Sequence, residues 1–181
     1  MRELALHILD MVENSIEAGA CYVALTIDEH PETDTLTIVV QDDGRGMDTT
    51  TVQQVRDPFY TTRTTRHVGL GIPLFAAAAE RCAGGLEIES ELGKGTKVTA
   101  TFQHTHIDRA PLGDLPSTLM CILMRGTCFD LHYEHHVGRR AFVLDTSEIK
   151  STLEDIPLSH PEVRKWLGEY IAQGEQELKE T

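Results

Sequence analysis

No apolar stretch in this chain is long enough to span a bilayer. The longest, Leu70 to Ala79, is broken by Gly71 and Pro73 and falls far short of the roughly 20 residues a membrane helix needs. No secretory leader is expected, because Arg2 and Glu3 run straight into an amphipathic pattern that contains further acids. Cysteine is sparse. Cys21, Cys82, Cys121 and Cys128 form no Cys-x-x-Cys pair, which fits reduced thiols in a cytoplasmic protein. Positive charge is short as well: 16 Lys and Arg stand against 29 Asp and Glu, a formal charge of −13. Nucleic-acid and anionic-membrane surfaces need clustered positive charge, so neither partner is expected. Also missing are internal repeats, low-complexity tracts and any Gly-x-x-x-x-Gly-Lys-Ser/Thr segment; the last absence excludes a P-loop.

What the chain does have is an ordinary globular composition, 40% hydrophobic and 25% charged over 181 residues, suited to one domain with an appendage. Leu4, Ile8, Val12 and Ile16 recur every fourth residue, predicting a helix over residues 2–18 with one buried face, ended by Gly19. Strands are expected over 21–28 and 35–41, where β-branched residues gather on either side of a polar turn. A short helix over 49–55 precedes the aperiodic, Thr- and Arg-rich stretch 57–68, read as a mobile loop. A helix over 72–82 and strands over 86–91 and 96–102 follow. Composition then shifts: Pro111, Gly113 and Pro116 mark residues 104–116 as a linker. Beyond it lie a helix (117–124), a hairpin (129–135 and 141–144, turning at Gly138) and two helices (147–153 and 161–178). The reading is a nucleotide domain over 1–103, a linker over 104–116 and a small α/β extension over 117–181.

The chemistry-bearing residues form an ordered set. Asp10 and Asn14 stand four apart and share one helical face. Asn14 offers a carbonyl oxygen suited to Mg²⁺, which takes its remaining ligands from water and phosphates. Asp10 is a candidate proton acceptor. Alone, the pair reads equally as two polar residues on an exposed face. Asp42 ends a hydrophobic strand, and the chain then turns through Gly44, Arg45, Gly46 and Met47. A carboxylate there can accept from the exocyclic amine of adenine, and the glycines leave room for a base. Gly69-Leu70-Gly71 opens a helix whose free N–H groups suit phosphate oxygens. Gly93-Lys94-Gly95-Thr96 closes the set. Arg45, Arg56, Arg63 and Arg66 concentrate around the loop, where an acidic protein would hold a polyanion. Together these residues describe an ATP site.

This set resembles the Bergerat-fold (GHKL) ATPases, the superfamily of gyrase, the heat-shock chaperone ATPase domain, histidine kinases and mismatch-repair ATPases. It covers residues 3–102. Glu13-Asn14-Ser15-Ile16-Glu17-Ala18-Gly19-Ala20 is similar to the mismatch-repair helix. Asp57-Pro58-Phe59-Tyr60-Thr61-Thr62-Arg63 with Gly69-Leu70-Gly71 is similar to sensor histidine kinases. The resemblance implies an α/β two-layer sandwich with a mixed, mostly antiparallel sheet. It places Asn14 on Mg²⁺, Asp42 on adenine, Gly44, Gly46 and Met47 about the base with Thr96 assisting, and Gly69, Leu70 and Gly71 on the phosphates; in-line transfer there would use Arg63 or Arg66 to neutralise developing charge.

Asp10 departs from these relatives, in which hydrolases and serine kinases carry Glu and sensor kinases carry Asn. Its shorter side chain leads us to expect slow or partner-triggered turnover. The expected activity is Mg²⁺-dependent ATP hydrolysis or γ-phosphate transfer, as a regulatory kinase acting on a separate protein; the alternative is an ATP-gated binding module with negligible catalysis. Glu13 is expected in solvent or behind the metal. Arg125, Arg139 and Arg140 are candidates for a basic residue reaching the nucleotide from the extension. His132, Glu134 and His136 share a strand face, read as solvated rather than as a metal site. Val163, Trp166, Leu167, Tyr170 and Ile171 stripe the last helix and are expected in the core, with a dimer or partner surface as the alternative.

Overall fold

The computed structural model describes residues 3–55, 70–125 and 129–180. Six strands form one sheet in the order β3-β4-β2-β1-β5-β6. They are β1 (Tyr22–His30), β2 (Thr35–Asp42), β3 (Gly85–Glu91), β4 (Gly95–Gln103), β5 (Asp130–Val137) and β6 (Arg140–Asp145). Four of the five pairings are antiparallel; β1 and β5 run parallel. The helices are α1 (Leu4–Glu17), α2 (Thr49–Gln54), α3 (Gly71–Glu80), α4 (Leu115–Leu123), α5 (Thr146–Leu153) and α6 (Pro161–Lys179). The fold is the expected α/β sandwich with a mixed, mostly antiparallel sheet.

Alternation decides which face is buried. Val23, Leu25 and Ile27 of β1, Leu36, Ile38 and Val40 of β2, and Leu131 and Tyr133 of β5 all point into the core. They meet Leu4, Ile8, Met11 and Val12 of α1, Phe75 and Ala79 of α3, Leu119 and Ile122 of α4, and Leu167 and Ile171 of α6. On the opposite face the register aligns Glu87, Thr99, Val39, Thr26 and Glu134 in one row, a polar surface.

The composition change near residue 103 is not a break in the sheet. β5 pairs with β1 over eight residues, Tyr22–Glu29 against Asp130–Val137, and one core runs through both halves. The stretch 104–116 also has a structural task. Leu4 and Ala5 donate their backbone N–H groups to the carbonyls of Pro111 and Leu112, at 2.9 and 2.8 Å. Helix starts leave such donors unsatisfied, and Glu3 supplies no side-chain cap.

A buried polar chain fastens α6 to the sheet. His135, fully buried, places Nδ1 3.0 Å from Glu175 Oε2 and Nε2 3.1 Å from Glu29 Oε1. Tyr133 donates its hydroxyl to Glu175 at 2.5 Å, and His104 stands 2.8 Å from Glu29. Burial by itself lowers a histidine pKa, but the hydrogen bonds to Glu175 and Glu29 outweigh it and raise His135 to about 9. His135 is therefore an imidazolium between two carboxylates.

Candidate functional site

The site grows from the end of β2. Asp42 is 9% exposed, and its carboxylate is held from three sides. Oδ1 accepts the Gly44 N–H at 2.9 Å and the Thr96 N–H at 3.3 Å. Oδ2 accepts the Ser15 hydroxyl at 2.7 Å. Thr96 is opposite because β2 and β4 pair Asp42 with Thr96. A carboxylate has about four acceptor positions, so three are filled and the free one lies on Oδ2. That suits an amine donor such as the adenine amino group.

The turn after Asp42 is fixed to its surroundings. Asp43 Oδ1 accepts the N–H groups of Cys21 and Tyr22 at 2.8 and 2.9 Å. Arg45 donates its N–H to the Ala18 carbonyl at 3.0 Å, and its own carbonyl accepts from Gly93 at 2.7 Å. Gly46 has φ +63°, and a Cβ there would stand 2.0 Å from the Glu91 carbonyl oxygen; only glycine fits. Met47 donates its N–H to Ser90 Oγ at 2.8 Å, and Ser90 Oγ lies 2.9 Å from Thr96 Oγ1.

Asp10 and Asn14 are half-buried on α1, one turn apart. Ser15, the next residue, is the one that grips Asp42, so the end of β2 and α1 are joined by a single side chain. Gly71 opens α3 against the same helix: a Cβ at Gly71 would stand 3.3 Å from Asp10 Cβ and 3.2 Å from Met11 Cε. The N-terminus of α3 therefore meets α1 at Asp10, so closely that a Cβ there would oblige Met11 and Asp10 to shift. Leu70, its N-cap residue, is exposed.

Sequence reasoning and structure part company at several residues. Glu13, expected in solvent or behind the metal, is partly exposed and pairs with Arg125 at 2.7 Å. That ion pair brings Arg125, alone of the three arginines considered, to α1 one residue before Asn14. Arg139 and Arg140 sit at the β5–β6 turn, beside the far end of β1: Val23 aligns with Asp42 and Glu29 with Val137. Six residues of strand, about 20 Å, separate the two ends. Arg140 instead donates to the carbonyls of Glu177 and Glu180 at the end of α6. His132, Glu134 and His136 do share a face, but Glu134 bridges the two rings at 2.8 and 2.9 Å. Among the described residues no cluster of His, Cys, Asp and Glu forms a cation site. The stripe on α6 divides: Val163, Leu167 and Ile171 are buried, while Trp166 and Tyr170 are exposed. Arg56, Arg63, Arg66, Gly69 and the loop over 57–68 lie outside the described residues, as does Cys128. Ser15, Asp43 and Ser90 were missed. Ser15 had one available signal, its place directly after Asn14; Ser90 had another, since the turn at Gly93-Lys94-Gly95 sets it opposite Thr96.

This geometry, a strand-end carboxylate gripped from one helix with a glycine-opened second helix packed against it, defines an ATP-binding α/β sandwich. The chain belongs to the histidine kinase-, DNA gyrase B- and HSP90-like ATPase family, whose model matches residues 2–106, and it carries a histidine-kinase-like ATP-binding domain. It is similar to the sensor protein kinase FleS of Pseudomonas aeruginosa, 37% identical over 105 residues, which cover 58% of this chain and 25% of that protein. It is also similar to sporulation kinase C of Bacillus subtilis, 34% identical over 88 residues, covering 49% of this chain and 20% of the kinase. The match thus spans a quarter or less of these relatives. A solved structure, the N-terminal domain of a DNA repair protein, aligns with TM-score 0.52 at 15% identity over 80% of this chain and 53% of that one. That likeness of fold covers more of the chain than the family model does. No helix among the described residues is long and apolar enough to cross a membrane.

Proposed function

We propose that this protein is a Mg²⁺-dependent, cytoplasmic ATPase or kinase that hydrolyses ATP or passes its γ-phosphate to a separate protein. The observation that carries the reading is the approach of Gly71 to Asp10. It sets the helix end suited to phosphates against the helix that bears a base and a metal-type amide.

Asp42 and Thr96 hold the adenine, with Gly44, Gly46 and Met47 forming the turn beneath it. Asn14 would ligate Mg²⁺, and the cation would neutralise phosphate charge there. Asp10 takes the proton from the attacking water or acceptor hydroxyl as that oxygen bonds to the γ-phosphorus and ADP leaves. Arg125, held by Glu13, is the guanidinium that the described structure brings to the metal helix. Arg63 and Arg66 keep their proposed place on the phosphates through sequence alone. The free thiols of Cys21, Cys82 and Cys121 suit a reducing compartment.

Incubation with γ-labelled ATP and Mg²⁺, with and without cell extract, tests the reading. Label on a second protein supports a kinase, and free labelled phosphate supports an ATPase. Asp10→Asn is expected to lower either rate on the order of a hundredfold while leaving ATP affinity nearly unchanged. An unchanged rate removes Asp10 from the chemistry. Tight ATP binding with no transfer and no release leaves the gated binding module as the function.

A further inference from the structure

The two edges of the sheet are built differently. β3 alternates Glu87, Glu89 and Glu91 along its length, all exposed. Charges of this kind keep a sheet edge from pairing with another chain. β6, the other edge, carries none in its centre: Ala141-Phe142-Val143-Leu144 is an uninterrupted apolar run. Among the described residues it has a neighbouring strand on one side only, and Val143 is 44% exposed.

A groove of about 390 Å³ lies against this strand, lined by Val143, Asp145, Glu148, Ile149, Trp166 and Tyr170 among others. Trp166 and Tyr170 stack with centroids 5.4 Å apart and planes 10° from parallel, and Tyr170 meets the edge of Phe142 at 5.5 Å. The pair is thus ordered by packing while remaining 47% and 41% exposed. Large aromatics held rigid at low entropic cost are what recognition surfaces use.

Charge along the strand indicates the occupant. Arg139 stands just before its beginning and Glu148 just past its end, while Arg140 and Asp145 are engaged within the chain, by the end of α6 and by His132 and the start of α5. An antiparallel copy of β6 puts each beginning opposite the other end, so arginines meet carboxylates twice about one two-fold axis. A uniformly basic peptide would satisfy only the acidic end and be repelled at the other. We propose that β6 is a homodimer interface, with two copies pairing edge to edge so that the sheet continues across the axis and the Trp166–Tyr170 stacks flank the seam.

Sedimentation equilibrium of the full chain over a wide concentration range tests this. The parent is expected to show dimer mass at high concentration. Arg139→Glu and Glu148→Arg are each expected to weaken dimerisation on the order of tenfold, and an equimolar mixture of the two to recover the parent constant, because each mutant end then faces its opposite. Val143→Lys, on an exposed position, is expected to remain monomeric with an unchanged circular dichroism spectrum. Trp166 is the only tryptophan, so its emission on dilution reports the seam directly. A parent monomeric at every concentration overturns the proposal, as does a dimer indifferent to Val143→Lys or a mixture that recovers nothing. A monomer whose Trp166 emission instead responds to an alternating Arg-Val peptide assigns the groove to a basic partner and overturns it too.

Discussion

At the scale of single residues, Asp42 and His7 show how neighbours set the chemistry of a side chain. Asp42 meets three donors and keeps one acceptor position. In Asp42→Asn an amide must replace an oxygen, so a donor faces either the Gly44 and Thr96 N–H groups or Ser15 and the bound base. Hydrogen bonds to a charged partner contribute about 1.5–3 kcal/mol, so we expect ATP affinity by calorimetry to fall about tenfold to a hundredfold. An Asn variant that binds as tightly as the parent would remove the adenine assignment. His7 is buried, stacks on Phe75 at 5.0 Å, and leaves Nδ1 without a partner. Burial, with Arg81 adding to it, lowers its pKa from 6.5 to about 4. Between those values the unfolded chain binds the extra proton, so stability falls as pH drops from 6.5 towards 4, by about 3 kcal/mol from this group. His7→Phe keeps a ring against Phe75 and is expected to remove that portion of the acid loss in urea titrations at several pH values.

At the scale of elements, α6 is held by the imidazolium of His135. Its pKa is raised to about 9, so its contribution is full below 6.5, the ordinary value, and is lost as pH rises through 9. Glu175→Gln leaves His135 with Glu29 alone and Tyr133 without its carboxylate. We expect the variant to lose about 3 kcal/mol, the usual cost of removing one partner of a buried pair. We also expect its alkaline midpoint in urea titrations to fall below that of the parent. An unshifted midpoint would show that Glu175 does not hold the proton on His135. Most elements were legible beforehand, because their signals are local: the fourfold recurrence of Leu4, Ile8, Val12 and Ile16, alternation in β1 and β2, and Gly138 at the hairpin. The stripe on α6 was only half legible. Periodicity assigns Trp166 and Tyr170 to the apolar side of the helix, but the width of the layer beneath decides that they emerge at its rim.

At the scale of the whole molecule, the parallel seam between β1 and β5 governs behaviour. Cutting the chain after residue 103 turns β1 into an open edge and strips Leu119, Ile122, Leu131 and Tyr133 from the common core. It also removes the acceptors for the first N–H groups of α1, the helix that carries Asp10 and Asn14. We expect residues 1–103 alone to give no cooperative thermal transition and no ATP binding by calorimetry. A truncated chain that melts sharply and binds ATP like the parent would show that the later strands are dispensable to the site.

Sequence by itself determined the class of site, because its parts are short and ordered: Asp10 with Asn14, Asp42 with its glycines, Gly71 opening a helix. Each depends on backbone geometry within a few residues, which spacing records. Tertiary structure alone decided which side chains meet across the fold. Ser15 reaches Asp42, Ser90 reaches Met47, Arg125 reaches Glu13, and the last two strands join the first sheet rather than forming a unit of their own. Such contacts rest on strand order and register between residues far apart in the chain, and a linear pattern carries no trace of either.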